Sequence, residues 1–149
     1  MCIRDSIYSI ALKKISIRDF KYQSIGNVDW EKQNYLDSLN RISLDSLFEI
    51  YGFPSEKVLE YSGNSRFAWF VLQHSSDCKW NEKWIERFLD AETNGVSFSS
   101  VPIFATFNRF YHPESGSCKD KDGEAFIKRL NQKYSSDLAE KYGYKYFYK

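Results

Sequence analysis

The sequence predicts an all-α fold, a single-domain antiparallel helical bundle of about five to seven helices. Three observations predict it. Only 3 Pro and 7 Gly occur in 149 residues, and they fall between periodic segments. Within those segments apolar residues recur at spacings of three and four, the period of a helix with one buried face. Helix start and stop residues bracket the segments, with short connections that favour antiparallel neighbours.

A first helix is predicted over Ile7 to about Tyr22. A second begins near Asp29, a good N-cap. Leu36, Leu39, Leu44, Leu47, Phe48 and Tyr51 give its apolar stripe, and Gly52-Phe53-Pro54 ends it, with glycine for the C-cap and proline just beyond. A third runs from about Ser65 to Ser75, with Phe67, Phe70, Val71 and His74 on one face. A fourth covers Trp80 to Thr93, with Trp80, Trp84, Phe88 and Ala91 inward, and stops at Asn94-Gly95. A fifth starts after Ser99-Ser100, has Pro102 in its first turn, and carries Ile103, Phe104, Phe107 and Phe110. His112 to Gly123 reads as loop. Glu124 to Tyr134 is a further helix, and a short one covers Ser136 to Tyr142.

The opening Met1-Cys2-Ile3-Arg4-Asp5-Ser6 carries no such pattern. Its back-translation resembles the end of a transposase-type sequencing adapter. Residues 1–6 are therefore set aside as a scar on an environmental gene fragment, and 7–149 is read as one helical domain whose native start lies upstream. Abundant Lys, Asn, Ile, Tyr and Phe point to an AT-rich bacterial gene. The compartment stays open: cytoplasmic if no signal peptide was lost, otherwise periplasmic or secreted.

At 42% hydrophobic and 28% charged residues, the chain can fill a core and disorder is not indicated. A net charge of +1 gives no bulk drive toward nucleic acid or anionic lipid. No apolar run approaches the roughly 20 residues a membrane span needs. Aromatic residues make up 18% of the chain, so rings must build much of the core. Cys78 and Cys118 form no C-x-x-C and say little about compartment.

Several stretches could carry chemistry. Asp37 and Asn40 share a helix face that continues through Leu44 and Phe48, so a polar pair extends an inward stripe. They would form either a pocket floor or an internal hydrogen-bonding network. His74 lies on the stripe of its own helix and reads as an acid–base group, a ligand or a satisfied core histidine. Arg109 projects from the flank of the fifth helix as an anion clamp or an ion-pair partner. His74, Cys78, His112 and Cys118 could supply a tetrahedral zinc set, but the spacing fits no usual pattern, and no metal or cofactor is assigned. A Cys78–His74 nucleophilic pair is equally weakly supported. The tail from Lys141 to Lys149 interleaves rings with cations as single-strand binders do, yet packing of the rings on the bundle suits a neutral chain better. No phosphate loop, H-E-x-x-H or G-x-S-x-G occurs.

From about Ile15 to Tyr111 these residues together resemble an uncharacterised bacterial domain-of-unknown-function family. Its members carry Asp-Gln-x-x-Arg, then Asp-x-x-Asn on a helix, a Gly-(Phe/Trp)-Pro stop, a Gln-His ending an apolar helix, and an Asp-Arg. Asp37-Ser38-Leu39-Asn40, Gly52-Phe53-Pro54 and Gln73-His74 match the middle three. The start departs, with Phe20 and Gln23 for the family's Gln and Arg, and Asn108-Arg109 replaces Asp-Arg. Lys141-Tyr142-Gly143-Tyr144 is a remnant of a Tyr-Gly-Thr-Gln found in many relatives. The family carries no assigned activity. The resemblance implies one candidate cluster of Asp19, Asp37, Asn40, Gln73, His74 and Arg109, and the departures count against catalysis in this member.

Two functions follow from the sequence. One is a non-catalytic protein-interaction or accessory domain with an exposed aromatic patch that includes Tyr144 to Tyr148. The other is a binder of a small polar ligand, or a hydrolase, with His74 as acid–base group, Asp37 orienting it and Arg109 as clamp.

Overall fold

The computed structural model describes residues 3–19, 29–53, 65–96 and 100–148. Several sequence expectations lie outside them: the end of the first helix at Tyr22, Phe20, Gln23, Pro54 and Ser99, and the side chains of Asp19, Phe67 and Pro102. Seven helices form among the described residues and no strand does: α1 (Ile3–Asp19), α2 (Trp30–Tyr51), α3 (Ser65–His74), α4 (Cys78–Thr93), α5 (Ser100–Tyr111), α6 (Lys121–Lys133) and α7 (Ser136–Lys141). The fold is all-α. The chain divides into two compact units, Met1–Ser75 and Ser76–Lys149.

In the first unit α1 and α2 run antiparallel, because Tyr8 near the start of α1 donates to the Gly52 carbonyl beyond α2, while Arg18 at the far end of α1 donates to Ser43. Tyr8, Leu12 and Ile15 are spaced four and three apart and form the buried stripe of α1. Helix α2 is capped as its sequence demands. The Asp29 carboxylate accepts from the Lys32 N–H at 3.2 Å, and Gly52 closes the far end at φ 80°, a conformation glycine adopts without steric cost. Helix α3 packs on both and buries Ala68, Trp69, Val71 and Leu72.

In the second unit the ion pairs Lys79–Asp122, Glu86–Arg129 and Asp90–Lys133 share one offset of 43 residues, so α4 and α6 run parallel and in register. Helix α5 returns between them in sequence: Tyr111 at its end reaches the Cys78 carbonyl at the start of α4, at 3.5 Å. Trp84, Phe88, Phe107, Tyr111 and Phe126 fill the interior, with Phe107 4.3 Å from Tyr144 and Tyr111 5.1 Å from Phe126 between ring centroids. Offset ring pairs of this kind add about 0.5–1.5 kcal/mol each beyond their burial. Helices α4 and α6 start earlier than the first apolar residue suggests, and α7 starts at Ser136 as expected; Asp77, Asp120 and Ser135 accept from the N–H three residues on, as N-caps do.

The connection from α5 to α6 is tightly built. Cys118 donates its N–H to the Phe110 carbonyl at 2.6 Å, and a disulfide joins it to Cys78, with the two Cα atoms 5.8 Å apart. A side chain at Gly123 would collide with the Cys118 carbonyl, its Cβ falling 1.7 Å from that oxygen. Glycine there lets the chain pass close to the disulfide.

Candidate functional site

The inward face of α2 is polar over half its length. Gln33, Asp37, Asn40 and Leu44 are its buried residues, spaced four, three and four apart. Gln33 donates its side-chain amide to the Asp37 carboxylate at 2.6 Å. Asn40 is completely buried, and neither end of its amide has a hydrogen-bond partner. Such a group carries a desolvation cost of about 1–3 kcal/mol. Arg18 is half-buried nearby in sequence register with Ser43, to which it donates at 3.0 Å.

The structure therefore places Asp37 and Asn40 on one stripe, as their spacing requires, and extends that stripe to Gln33. Sequence reading stopped one turn short, although the same spacing of four leads from Asp37 back to Gln33. Gln73 and His74 are half-buried at the end of α3 in the same unit. Asp19 is the last residue of α1. Arg109 belongs to the second unit, where it is exposed on α5 with its guanidinium 5.7 Å from the Phe110 ring. Asn108 turns back to its own helix, donating to the Phe104 carbonyl at 3.0 Å.

The outward faces of α1 and α2 carry large apolar side chains among charged and polar ones, with Lys32, Asn34 and Ser46 also exposed on α2. Seven of the nine large hydrophobic residues exposed among the described residues lie there: Ile7, Ile10 and Ile17 on α1, and Trp30, Tyr35, Ile42 and Ile50 on α2. Ile10 and Ile17 stand seven residues apart, opposite the buried Tyr8–Leu12–Ile15 stripe. Tyr35 and Ile42 have the same spacing, opposite the polar stripe of α2. Ile17 and Ile42 are each 63% exposed, a level that leaves most of the side chain in water. Exposed Lys13 and Lys14 accompany the α1 ridge, and exposed Glu31 and Glu49 flank the α2 ridge. At the start of α2 a surface hollow of about 490 Å³ is lined by Asp29, Glu31, Lys32 and Tyr35.

In the second unit the charged groups between α4 and the α6–α7 segment pair with one another. Lys133 pairs with Asp90 at 3.2 Å, and Tyr134 donates to the same carboxylate at 2.6 Å. Burial and that contact push the Tyr134 phenol up to about 12. Glu92 takes both the Lys141 ammonium and the Tyr142 hydroxyl. A hollow of about 250 Å³ lined by Glu92, Thr93, Lys133, Tyr134, Ser135 and Leu138 is thus rimmed by groups already paired. Glu82 is buried on α4, and burial raises its carboxyl above the ordinary range against the opposing pull of Lys79, 3.3 Å away. In the tail, Tyr142 and Tyr144 are buried as ring packing requires, while Tyr146 is exposed and Phe147 sits edge-on to His112.

The disulfide uses both sulfurs that a zinc set or a Cys78 nucleophile would need. The described residues hold no group of three or more His, Cys, Asp or Glu side chains suited to a metal ion, and no described helix is long and apolar enough to cross a membrane. No family model, curated protein or solved structure matches the chain.

Proposed function

We propose that this chain is a non-catalytic helical interaction module whose contact surface is the outward apolar face of α1 and α2. The observation that carries the reading is the placement of Ile7, Ile10, Ile17, Tyr35, Ile42 and Ile50 in water while Gln33, Asp37 and Asn40 are buried. Exposing such ridges has no value for the fold itself, and apolar patches rimmed by charge mark contact sites. The Cys78–Cys118 disulfide supports a working place outside reducing compartments, where such bonds persist. Panning a library of displayed helical peptides on the purified protein tests the reading. Enriched peptides should lose binding to Ile17→Lys and Ile42→Lys variants and keep it to Lys128→Glu, a change on an exposed position of α6. A library that yields no ridge-dependent binder would refute the reading.

A second reading, a binder of a small polar ligand or a hydrolase using His74 and Asp37, is favoured by one observation: Asn40 is wholly buried with both amide atoms unpartnered. The resemblance to the uncharacterised bacterial family supports it by grouping Asp37, Asn40, Gln73 and His74. Thermal denaturation of wild type and Asn40→Leu with and without a panel of small polar compounds separates the readings, since a bound ligand raises the midpoint of the protein that holds it. A compound that shifts wild type and not the variant supports this reading, and a panel that shifts neither counts against it.

A further inference from the structure

Helix α1 is apolar on two opposite faces. Tyr8, Leu12 and Ile15 are buried in the first unit, while Ile7, Ile10 and Ile17 face water. Exposed Lys14 completes the outward series, in which Ile7, Ile10, Lys14 and Ile17 are spaced three, four and three apart. That alternation is the one by which the seam residues of a coiled coil meet a second helix. The charges of α1 are of one sign. Every charged side chain described on it, Lys13, Lys14 and Arg18, is a cation. Lys13 and Lys14 are exposed, and neither pairs with a carboxylate among the described residues.

The place of Lys14 selects the occupant. An interfacial helix on a lipid surface keeps its cations on the polar side of the apolar stripe. Here Lys14 stands within the stripe, between Ile10 and Ile17, and would be drawn down with them. A second helix can instead meet a seam lysine with carboxylates on its own flanks, and such a lysine fixes register and partner choice. The exposed charges of α2, Glu31, Lys32 and Glu49, are of both signs and select no partner in this way.

We infer, on the basis of the interaction reading above, that the outward face of α1 docks an acidic amphipathic helix of another protein. Apolar residues of that helix would cover Ile7, Ile10 and Ile17, and its flanking carboxylates would pair with Lys13 and Lys14. A seam of about three turns buries little area, so the contact is weak and exchanging, with unlike charges setting its specificity.

Fluorescence anisotropy with two labelled synthetic helical peptides tests the inference. Both peptides carry leucine at the seam positions over about three heptads, and one has glutamate where the other has lysine at the flanking positions. The acidic peptide should bind the wild-type protein about tenfold more tightly than the basic one, and added salt should narrow the gap. Lys13→Glu with Lys14→Glu should reverse the order, and Ile17→Lys should weaken both peptides. Circular dichroism checks that the variants keep their helices, and the order on the wild-type protein is a test that needs no variant. Equal binding of the two peptides, or an order that the double reversal leaves unchanged, overturns the inference while the interaction surface stands. Binding to vesicles of phosphatidylglycerol and phosphatidylcholine with neither peptide bound also overturns it, and gives the face to a lipid. If neither peptide binds but panning still enriches ridge-dependent helices, the acidic partner is refuted alone. If panning fails too, both readings fail.

Discussion

In residues 76–149 the buried positions of α4, α5 and α6 hold Trp84, Phe88, Phe107, Phe126 and Leu130, and the outer surface holds the ion pairs of Glu86, Asp90, Arg129 and Lys133. In residues 1–75 the arrangement on α2 is partly inverted. Its core face carries Gln33, Asp37 and Asn40 beside Leu44, and its water face carries Tyr35, Ile42 and Ile50 among Glu31, Lys32, Asn34, Ser46 and Glu49. One unit spends its apolar residues on its own stability and adds a disulfide and three side-chain caps. The other buries apolar residues of α1 and α3, Tyr8, Leu12, Ile15, Trp69 and Leu72 among them, against an α2 face that is mostly polar. The staple and the ring core thus belong to the second unit, and the proposed contact surface belongs to the first.

The comparison breaks first at the disulfide. It closes a loop of 40 residues, and in the chain-entropy account its removal costs about 4 kcal/mol. Urea unfolding with and without dithiothreitol, and of Cys78→Ser, should show a loss of that size. A loss below about 1 kcal/mol would mean the ring core holds the second unit without the staple. Gly123→Ala sharpens the same point. Alanine favours a helix over glycine by about 1 kcal/mol, yet its Cβ would strike the Cys118 carbonyl, so the net change should be a destabilisation of about 1–3 kcal/mol. A more stable Gly123→Ala protein would contradict the close packing at the disulfide.

In the first unit, Asn40→Leu should stabilise the protein by about 1 kcal/mol or more, because it removes a buried amide that has no partner. Thermal denaturation of the variant decides this, and destabilisation would contradict the absence of a partner for the Asn40 amide. A smaller effect belongs to Glu82, whose carboxyl is raised by burial. A raised carboxyl binds its proton more tightly in the folded state, so stability falls as pH rises through the interval just above the ordinary carboxylate value. Glu82→Gln should therefore be more stable than wild type at neutral pH by under about 1 kcal/mol, with the gap closing toward about pH 3. Melting curves across that range check the sign, and a gap that widens on acidification would contradict it.

Much of the fold was legible in the sequence. Asp29 and Gly52 bound α2 where they were read to, because both act through local backbone chemistry that a short stretch encodes. The ring stripe of Trp80, Trp84 and Phe88 points inward for the same local reason. What was not legible depends on partners distant in sequence. Nothing in the chain around Cys78 announces Cys118, since the bond needs the α5–α6 connection folded against the start of α4. Phe104 was expected on the inward stripe of α5, but it is half exposed and lies over Gly143, where it meets the tail. Tyr144 is buried against Phe107, in keeping with the expected packing of the tail rings, and this removes it from the exposed patch of Tyr144 to Tyr148 that the interaction reading drew on. The apolar surface lies instead on α1 and α2, where Ile10, Ile17, Tyr35 and Ile42 read as helix formers of no particular direction until the buried stripes fix which way each helix faces.

The outward ridges are the centre of the account, and a photo-reactive residue at position 17 tests them most directly. The site is surface-placed, so the substitution should change stability by no more than about 0.5 kcal/mol. On irradiation with a helical peptide selected on the ridges, adducts between position 17 and the peptide should form, and an excess of the unlabelled peptide should abolish them. Irradiation that yields no peptide adduct, or adducts that excess unlabelled peptide does not displace, would contradict the account.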